Sequence, residues 1–193
     1  MKSQNDAPQL RVRAVRAAEL TPEVVREWAE LEGRSLHFNA FLSPYFVLPA
    51  IHHLTGDKNV LILLVESPTS SQLRGVGVFE IQGPSIISPF PYLTAYQPPH
   101  SYLNGLLIDR EHVRAAFTAL YDHFALHKLS YNHIDLRLHP ECQHAEEAHS
   151  ALAQTYSVRW QQTGTVERAI LTPKSAGENY LRTNLKSRYK DCM

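Results

Sequence analysis

Residues 59–82 read NVLILLVESPTSSQLRGVGVFEIQ, and this stretch decides the fold. The unbroken apolar run at 60–65 is typical of a central strand that is buried on both faces. Residues 68–72, Pro-Thr-Ser-Ser-Gln, predict a turn, because proline and small polar side chains favour turns over strands. Residues 74–82 then predict a second strand. Since only a short loop separates the two strands, we expect an antiparallel hairpin.

The sequence before this hairpin predicts one strand and two helices. Residues 10–15 alternate in the way that is typical of a half-buried strand. Residues 21–23, Thr-Pro-Glu, open the first helix, because threonine suits the cap, proline the first turn and glutamate the positive end of the dipole. Gly33 is expected to end this helix. Ser-Pro at 43–44 opens a second helix by the same pattern, and Thr-Gly-Asp at 55–57 closes it.

After the hairpin, the chain passes through a proline-rich segment before regular structure resumes. Residues 83–99 include five prolines, and because proline has no backbone N–H to donate, we expect this segment to be irregular. The elements expected beyond it are a strand over 101–108, a helix capped by Asp109, a strand over 133–138, a helix over 141–156, and strands over 158–160 and 165–171. The whole order, β-α-α-β-β-loop-β-α-β-α-β-β, predicts a mixed α/β domain that ends near Pro173.

Composition and charge exclude several classes of protein. The 193-residue chain is 44% hydrophobic and 20% charged, and its 19 basic residues balance 19 acidic ones, so nothing indicates a nucleic-acid partner. The longest strongly apolar run is too short to span a bilayer, and the N-terminal segment has no apolar core of a signal peptide. Cys142 and Cys192 are too few for a disulfide framework. We therefore expect a cytoplasmic protein with reduced thiols.

The order of these elements resembles the GNAT acyltransferase fold. More specifically, the chain resembles the bacterial cellulose-biosynthesis-type acetyltransferases and the related Fem-type aminoacyl transferases. The segments that carry the resemblance are WAEL at 28–31, NAFLSPY at 39–45, the hairpin at 60–81, SYLNGLL at 101–107, and YL with LKSRY at 180–189. The resemblance implies acyl transfer from acetyl-CoA or another acyl-CoA to an amine or hydroxyl of a sugar or cell-envelope precursor. It implies no tightly bound cofactor.

The same resemblance implies a domain organisation. Members of this family typically contain two GNAT-like domains in tandem, joined by a helix. Residues 8–173 would form the first domain. Residues 174–193 would start the linker helix, because apolar side chains recur there at helical spacing after a polar break. We therefore expect a fragment that holds the N-terminal half, with a second GNAT domain in a full-length form. Whether Met193 is a natural C-terminus stays open.

Binding of acyl-CoA phosphates requires backbone donors, usually in a glycine-rich turn that leads into a helix. The GNAT pattern Gln/Arg-x-x-Gly-x-Gly/Ala is matched at 72–77, but this segment enters a predicted strand, so packing of small residues explains it better. The segment that directly precedes the long helix, where the phosphates would bind, is 106–111, and Asp109 and Glu111 in it would repel a phosphate. We therefore expect a degenerate phosphate-binding turn. The rival hypothesis is a noncatalytic domain that shapes a substrate groove, or an inactive truncated fragment.

Candidate substrate-binding residues lie in or beside the proline-rich segment. They are Tyr92, Tyr96, His100 and Tyr102, whose rings and hydroxyls suit a sugar. The alternative, which we favour, is a surface loop stiffened by proline with its aromatic side chains folded onto the core. The catalytic base and the cofactor-binding residues are left unassigned.

Metal binding is not expected. The chain has eleven histidines, but no zinc-type spacing is present among them. The pair His123 and His127, and the later group His139, Cys142, His144 and His149, are interpreted as ordinary histidines and a structural cysteine.

Overall fold

The structure, a computed structural model, describes residues 9–56, 59–70, 72–84, 86, 88–127, 130–136, 143–159 and 161–166. Met1–Gln161 form one compact unit, and Gln162–Met193 form another. Of the second unit, residues 162–166 are described, and they contain neither helix nor strand. The expected linker helix at 174–193 lies outside the described residues.

The first unit contains both helices and strands. Its strands are β1 (Arg11–Val15), β2 (Val60–Glu66), β3 (Leu73–Gln82), β4 (Tyr92–Ala95), β5 (Leu106–Ile108) and β6 (Ile134–Asp135). Its helices are α1 (Pro22–Arg34), α2 (Pro44–Ala50), α3 (Val113–Leu126) and α4 (Gln143–Tyr156), and a π-helical turn at Ile51–Thr55 continues α2. The predicted mixed α/β fold class is confirmed, and through α4 the elements follow the order that the GNAT resemblance implies, except for the additional strand β4.

The hairpin predicted at the centre of the fold is confirmed. β2 and β3 pair antiparallel, with Val60 opposite Glu80 and Leu63 opposite Gly77, and β2 is buried from Val60 to Val65. β1 pairs antiparallel with the other edge of β2. The side chains of β2 alternate between two faces of the sheet that both belong to a buried core, which is why its sequence is continuously apolar.

β3 is long enough to carry two partners end to end. Its C-terminal part, Phe79–Gln82, pairs antiparallel with β4, and its N-terminal part, Gly75–Gly77, pairs antiparallel with β5. β4 and β5 therefore form one strand position that is interrupted by residues 96–105. The described sheet has the order β1-β2-β3-β4-β6, with β4 and β6 parallel.

Alternating side chains of the sheet feed two cores, one on each face. On one face, Ile62, Leu64 and Val78 pack with α1 and α2, and Trp28 on α1 donates its indole N–H to the carbonyl of Leu42 at 2.8 Å. On the other face, β2, β3 and β4 pack with α3 and α4; the buried residues there include Leu63, Phe79, Leu93, Phe117 and Leu152. The fold is a sheet between two layers of helices.

Most of the predicted helices are confirmed with shifted ends. α1 begins after Thr21 as predicted and ends at Arg34, one residue beyond Gly33. α2 begins after Ser43 as predicted, and its π-helical continuation closes at Gly56, whose φ of +78° suits glycine.

Several predictions of detail are wrong. Residues 92–95, inside the segment expected to be irregular, form β4, and β5 is confined to the last three residues of the strand expected at 101–108. The residue at the N-cap position of α3 is His112 and not Asp109, and the His112 side chain makes no capping hydrogen bond. Val158 and Arg159 form no strand. No helix among the described residues is long and apolar enough to cross a membrane.

Candidate functional site

A polar pocket of about 250 Å³ lies where the paired ends of β3 and β4 meet. Its lining residues are Glu80, Gln82, Tyr92, Thr94, Ala95 and Gln97. The register explains why these side chains converge: Glu80 lies opposite Thr94 and Gln82 opposite Tyr92, and directly opposed residues point to the same face of a sheet. The pocket is thus built mainly on rigid strands.

The pocket continues the sheet face that α1 and α2 cover. Val78, two residues before Glu80, is buried against these helices. Since β-strand side chains alternate, Val78, Glu80 and Gln82 project from the same face of β3. The face changes from apolar to polar at Glu80, which indicates that this part of the sheet contacts water or a polar ligand.

Glu80 is the one charged side chain in the lining of the pocket, and its carboxylate accepts a hydrogen bond from Gln82 Nε2 at 3.2 Å. Thr94 is 7% exposed, and its Oγ1 is buried without a hydrogen-bond partner among the described residues. An unpaired buried hydroxyl is costly, so it is a group that a ligand would satisfy.

Tyr96 lies next to this pocket, and the charge of Glu80 affects the pKa of its hydroxyl. Burial raises the pKa of the Tyr96 hydroxyl, its hydrogen bond with Thr55 lowers it, and the negative charge of Glu80 raises it further. The Tyr96 hydroxyl and Thr55 Oγ1 are 2.8 Å apart. Chemically, the pocket offers a carboxylate that can hold a cation or accept a proton, together with amide and hydroxyl groups for a polar molecule.

The four candidate residues from the sequence are placed differently. Tyr92 lines the pocket and stacks on His133 with ring centroids 4.3 Å apart, and Tyr96 is buried beside it. His100 and Tyr102 lie in the loop between β4 and β5; His100 has a φ of +70°, and Tyr102, 63% exposed, forms a T-shaped ring contact with Phe41. The structure therefore brings Tyr92 and Tyr96 together at the pocket and leaves Tyr102 at a different contact.

Sequence reasoning missed Glu80, Gln82, Thr94 and Gln97. A signal for the first two was present, because Val76, Val78, Glu80 and Gln82 alternate along the predicted second strand of the hairpin. A switch from valine to carboxylate and amide on one face marks where coverage of the sheet ends. Thr94 and Gln97 could not be found, because β4 itself was not predicted.

The turn before α3 is the position where the resemblance places acyl-CoA phosphates. Its four backbone N–H groups all donate inside the protein: Asp109 to the Arg74 carbonyl, Arg110 to the Arg34 carbonyl, Glu111 to Asp109 Oδ1, and His112 to the Asp109 carbonyl, at 2.9–3.1 Å. A phosphate cradle needs such groups free and convergent. The turn as folded therefore does not fit the phosphates of acyl-CoA.

Asp109 acts in this turn in a way that the sequence did not predict. Its carboxylate is buried and lies 2.8 Å from Arg74 Nη1, 3.3 Å from Arg34 Nε and 3.4 Å from His112 Nδ1. Burial by itself raises the pKa of Asp109, but hydrogen bonds from the Glu111 N–H and Arg74, together with the nearby His112, outweigh it, and the pKa lies below its usual value. The expected repulsion of phosphate by Asp109 is thus wrong as a mechanism, because two arginines neutralise this charge.

The glycine motif at 72–77 lies within and just before β3, in agreement with its interpretation as a packing feature. A Cβ added to Gly77 would lie 2.6 Å from a ring carbon of Phe79 and 2.7 Å from Leu106. One added to Gly75 would lie 3.0 Å from Ile108 and Val65. These glycines let β5 and the Phe79 ring pack closely against β3.

Among the described residues, Asp109, Glu111 and His112 are the one group of three possible metal ligands close together. The two arginines on Asp109 make this group a poor fit for a cation. The ring centroids of His123, on α3, and His127, just after it, lie 4.4 Å apart, and burial, together with the neighbouring His127, lowers the pKa of His123 to about 4. His149 packs on Phe117. His139, Cys142 and the side chain of His144 lie outside the described residues.

Comparison with solved structures finds acetyltransferases of similar arrangement. A ribosomal-protein-alanine N-acetyltransferase from Brucella melitensis biovar Abortus 2308 is 15% identical, and the match covers 83% of this chain and 99% of that one at a TM-score of 0.47. An aminoglycoside antibiotic 6'-N-acetyltransferase from Acinetobacter haemolyticus is 17% identical over 83% and 99% of the two chains, with a TM-score of 0.43. An acetyltransferase from Trypanosoma brucei is 9% identical over 84% and 99%, with a TM-score of 0.47.

No protein-family model and no curated protein matches the sequence. At identities and TM-scores this low, the similarities describe a shared class of α/β arrangement and identify no functional residue. Function is therefore inferred from the pocket and from the turn before α3.

Proposed function

We propose that this chain is a GNAT-like acyltransferase domain whose described part binds the acceptor, a small amine- or hydroxyl-bearing molecule such as a sugar or cell-envelope precursor. The observation that carries this proposal is the polar pocket, which Glu80 and Thr94 both line and beside which the Thr94 hydroxyl is buried without a partner among the described residues. The element order from β1 to α4, which apart from the additional strand β4 is the one expected of a GNAT-like domain, supports it.

The charge of the pocket favours an amine over an acid. Glu80 carries a negative charge that no cationic side chain in the lining neutralises. A protonated amine gains a charge-assisted hydrogen bond there, whereas a carboxylate or phosphate would be repelled. Gln82, Thr94 and Gln97 provide donors and acceptors for hydroxyl groups, and the Tyr92 ring offers a face for a sugar. An amino sugar meets all of these requirements.

Acyl-CoA enters this proposal as the co-substrate of a larger arrangement. The turn before α3 uses its backbone donors internally, so a second GNAT-like domain, joined through the linker helix that the sequence predicts at 174–193, would hold the acyl-CoA. Residues 8–173 would then form the acceptor-binding half, within the cellulose-biosynthesis-type or Fem-type organisation.

The second candidate function is a noncatalytic domain that shapes a substrate groove. The same closed turn favours it, because a domain that binds an acceptor without acyl-CoA has no transfer step of its own. The two functions differ in one observable property: acyl transfer to the molecule bound at Glu80 occurs only in the first, in a form of the protein that also contains the acyl-CoA site.

Calorimetric titration of the full chain with glucosamine and with glucose tests the proposed acceptor pocket. We expect glucosamine to bind about tenfold more tightly, because one charge-assisted hydrogen bond contributes roughly 1.5 kcal/mol. Glu80→Gln should abolish this preference and leave the fold intact. Glu146→Gln, which removes an exposed carboxylate on α4, is the matched control and should keep the preference. Absence of binding to either sugar, or an unchanged preference in Glu80→Gln, would contradict the proposal.

A further inference from the structure

The cluster around Asp109 joins three segments that are distant in sequence: the end of α1, the start of β3 and the turn before α3. Arg34 comes from the first, Arg74 from the second and Asp109 from the third. Arg34 also donates to the Leu73 carbonyl at 2.9 Å, and Arg110 donates to the carbonyls of Gly33 and Arg34. The position of Arg34 is thus fixed by contacts that do not involve the carboxylate.

The chain also covers the outer side of β5 next to this cluster. The Leu36 N–H donates to the Ile108 carbonyl at 2.7 Å, and Ser35 forms an isolated antiparallel bridge with Asp109. Asn39 Nδ2 donates to the Asn104 carbonyl at 3.4 Å. β5 therefore has partners along both sides, β3 on one and residues 34–39 on the other, which fixes the position of the turn that follows it.

The cluster has more hydrogen-bond donors than its carboxylate accepts. Arg74 Nη1 and the Glu111 N–H bond the two oxygens of Asp109. Arg34 Nε, Arg74 Nε and His112 Nδ1 are buried and have no hydrogen-bond partner among the described residues, although two of them lie within 3.4 Å of the carboxylate. Although a carboxylate can accept about four hydrogen bonds, this one, as placed, accepts none from these nitrogens, whereas a tetrahedral oxyanion presents acceptors in more directions.

The charges of the cluster depend on Asp109 for balance. Arg34 lies 3.7 Å from Glu27 as well as 3.3 Å from Asp109, so two guanidinium groups face two carboxylates. Removal of the Asp109 carboxylate leaves one positive charge in excess, in a place where arginine nitrogens are already positioned. Fixed arginines with a spare charge are the usual means of binding a phosphate group in proteins.

We propose that Arg34, Arg74 and the Glu111 amide form an oxyanion site that the protein's own Asp109 carboxylate fills. Asp109 acts as an internal anion: it completes the site electrostatically and keeps phosphate-bearing molecules out of the turn before α3. The ligand class that the site accepts once this carboxylate is removed is a phosphate-type oxyanion. This inference concerns the turn alone and does not rest on the acceptor pocket at Glu80.

Binding of inorganic phosphate to the full-length Asp109→Ala variant tests this inference. Titrations at constant ionic strength, balanced with chloride, should show phosphate binding at least about tenfold tighter to Asp109→Ala than to the unmodified chain, since a charged hydrogen-bonded anion gains on that order. Glu111→Gln is the matched control: it removes a negative charge from the same turn but leaves the Asp109 carboxylate in place. It should bind phosphate no better than the unmodified chain.

Two further variants keep the test decisive. Asp109→Ala combined with Arg74→Gln removes one guanidinium and should lose the gained phosphate binding. If Asp109→Ala does not fold in chloride, phosphate should restore its circular dichroism and melting transition, and it should not do so in the double variant. Asp109→Asn, which retains an acceptor for the Glu111 amide, provides a second folded background and should also gain phosphate binding. Equal phosphate binding by all folded variants, or no phosphate-dependent recovery of an unfolded Asp109→Ala, would overturn the proposal.

Discussion

The two ends of β3 differ in whether a ligand-sized cavity lies beside their polar groups. At the C-terminal end, Glu80 and Thr94 line an open pocket in which a buried hydroxyl has no partner among the described residues. At the N-terminal end, Arg74 belongs to a cluster in which a buried carboxylate and four consecutive backbone N–H groups are all bonded internally. A buried group without a partner beside a cavity indicates ligand binding, whereas a turn whose backbone N–H groups are all bonded within the protein offers a ligand no backbone donor, although arginine and histidine nitrogens beside it stay without a partner among the described residues. The pocket thus has the features of a binding site, and the turn has those of a structural element.

Asp109→Ala should cause the largest loss of stability. It leaves two largely buried guanidinium groups and the Glu111 N–H without their acceptor, and loss of one partner of such a buried charge cluster costs about 3 kcal/mol or more. Urea unfolding followed by circular dichroism measures the change. The control Glu111→Gln should change stability by no more than about 0.5 kcal/mol, as is usual for a side chain at the surface. If Asp109→Ala lost no more free energy of unfolding than the control, the Asp109 cluster would not have the structural role assigned to it.

Gly77→Ala should be the next most destabilising, and it tests the strand that links the two regions. The added Cβ would meet Phe79 and Leu106 at under 3 Å, and overpacking of this kind costs about 1–3 kcal/mol. Gly83→Ala, where nothing lies within 4 Å of the added carbon, is the matched control and should have little effect. Thermal unfolding of the two variants distinguishes them. Similar melting temperatures would mean that β5 is not packed closely on β3.

Acid should weaken the turn through Asp109. Because the pKa of Asp109 is lower in the folded protein than in the unfolded chain, its contribution is complete above its unfolded value of about 3.9 and is lost as the pH falls through the folded value. The urea midpoint of the unmodified chain should therefore fall more steeply below about pH 5 than that of Asp109→Asn, which has no carboxyl group to protonate at this position. Parallel curves for the two proteins would show that Asp109 is not stabilised as a carboxylate.

Thr94→Val should have the smallest effect on stability, and it tests whether the Thr94 hydroxyl at the pocket lacks a partner in the fold. Valine matches the shape of threonine and removes a buried hydroxyl for which the described residues offer no partner. The free energy of unfolding should therefore stay the same or rise by up to about 1 kcal/mol. Glucosamine binding measured by calorimetry should weaken in the same variant. A clear loss of stability in Thr94→Val would mean that the hydroxyl is satisfied within the fold and is not kept for a ligand.

The sequence could predict the elements whose signals are local. Residues 60–65 are apolar without interruption because β2 is central, and the Thr-Pro and Ser-Pro pairs marked the starts of α1 and α2. β4 escaped prediction because it has four residues, with Pro91 directly before it, and its strand character comes from pairing with Phe79–Gln82. A proline directly before the first residue of a strand is compatible with pairing, so the presence of a partner strand decides whether the residues after it form a strand.

The candidate site was less predictable, because its residues act through contacts that are remote in sequence. Asp109 was interpreted as a helix cap, since a single sequence does not show that Arg74, 35 residues earlier, reaches its carboxylate. Tyr92 and Tyr96 could be named from the proline-rich segment, but the pocket beside them depends on Glu80 from another strand. The sequence shows which residue types are present, but it does not show the strand register that brings distant residues into contact.

Calorimetric titration of the full chain with acetyl-CoA tests most directly whether the turn before α3 is closed. Because Asp109 fills this turn and its backbone donors are used internally, we predict no binding at micromolar concentrations. Micromolar binding of acetyl-CoA that is lost on replacement of Arg74 by Gln would contradict this prediction, since the phosphates would then occupy the turn in the presence of Asp109.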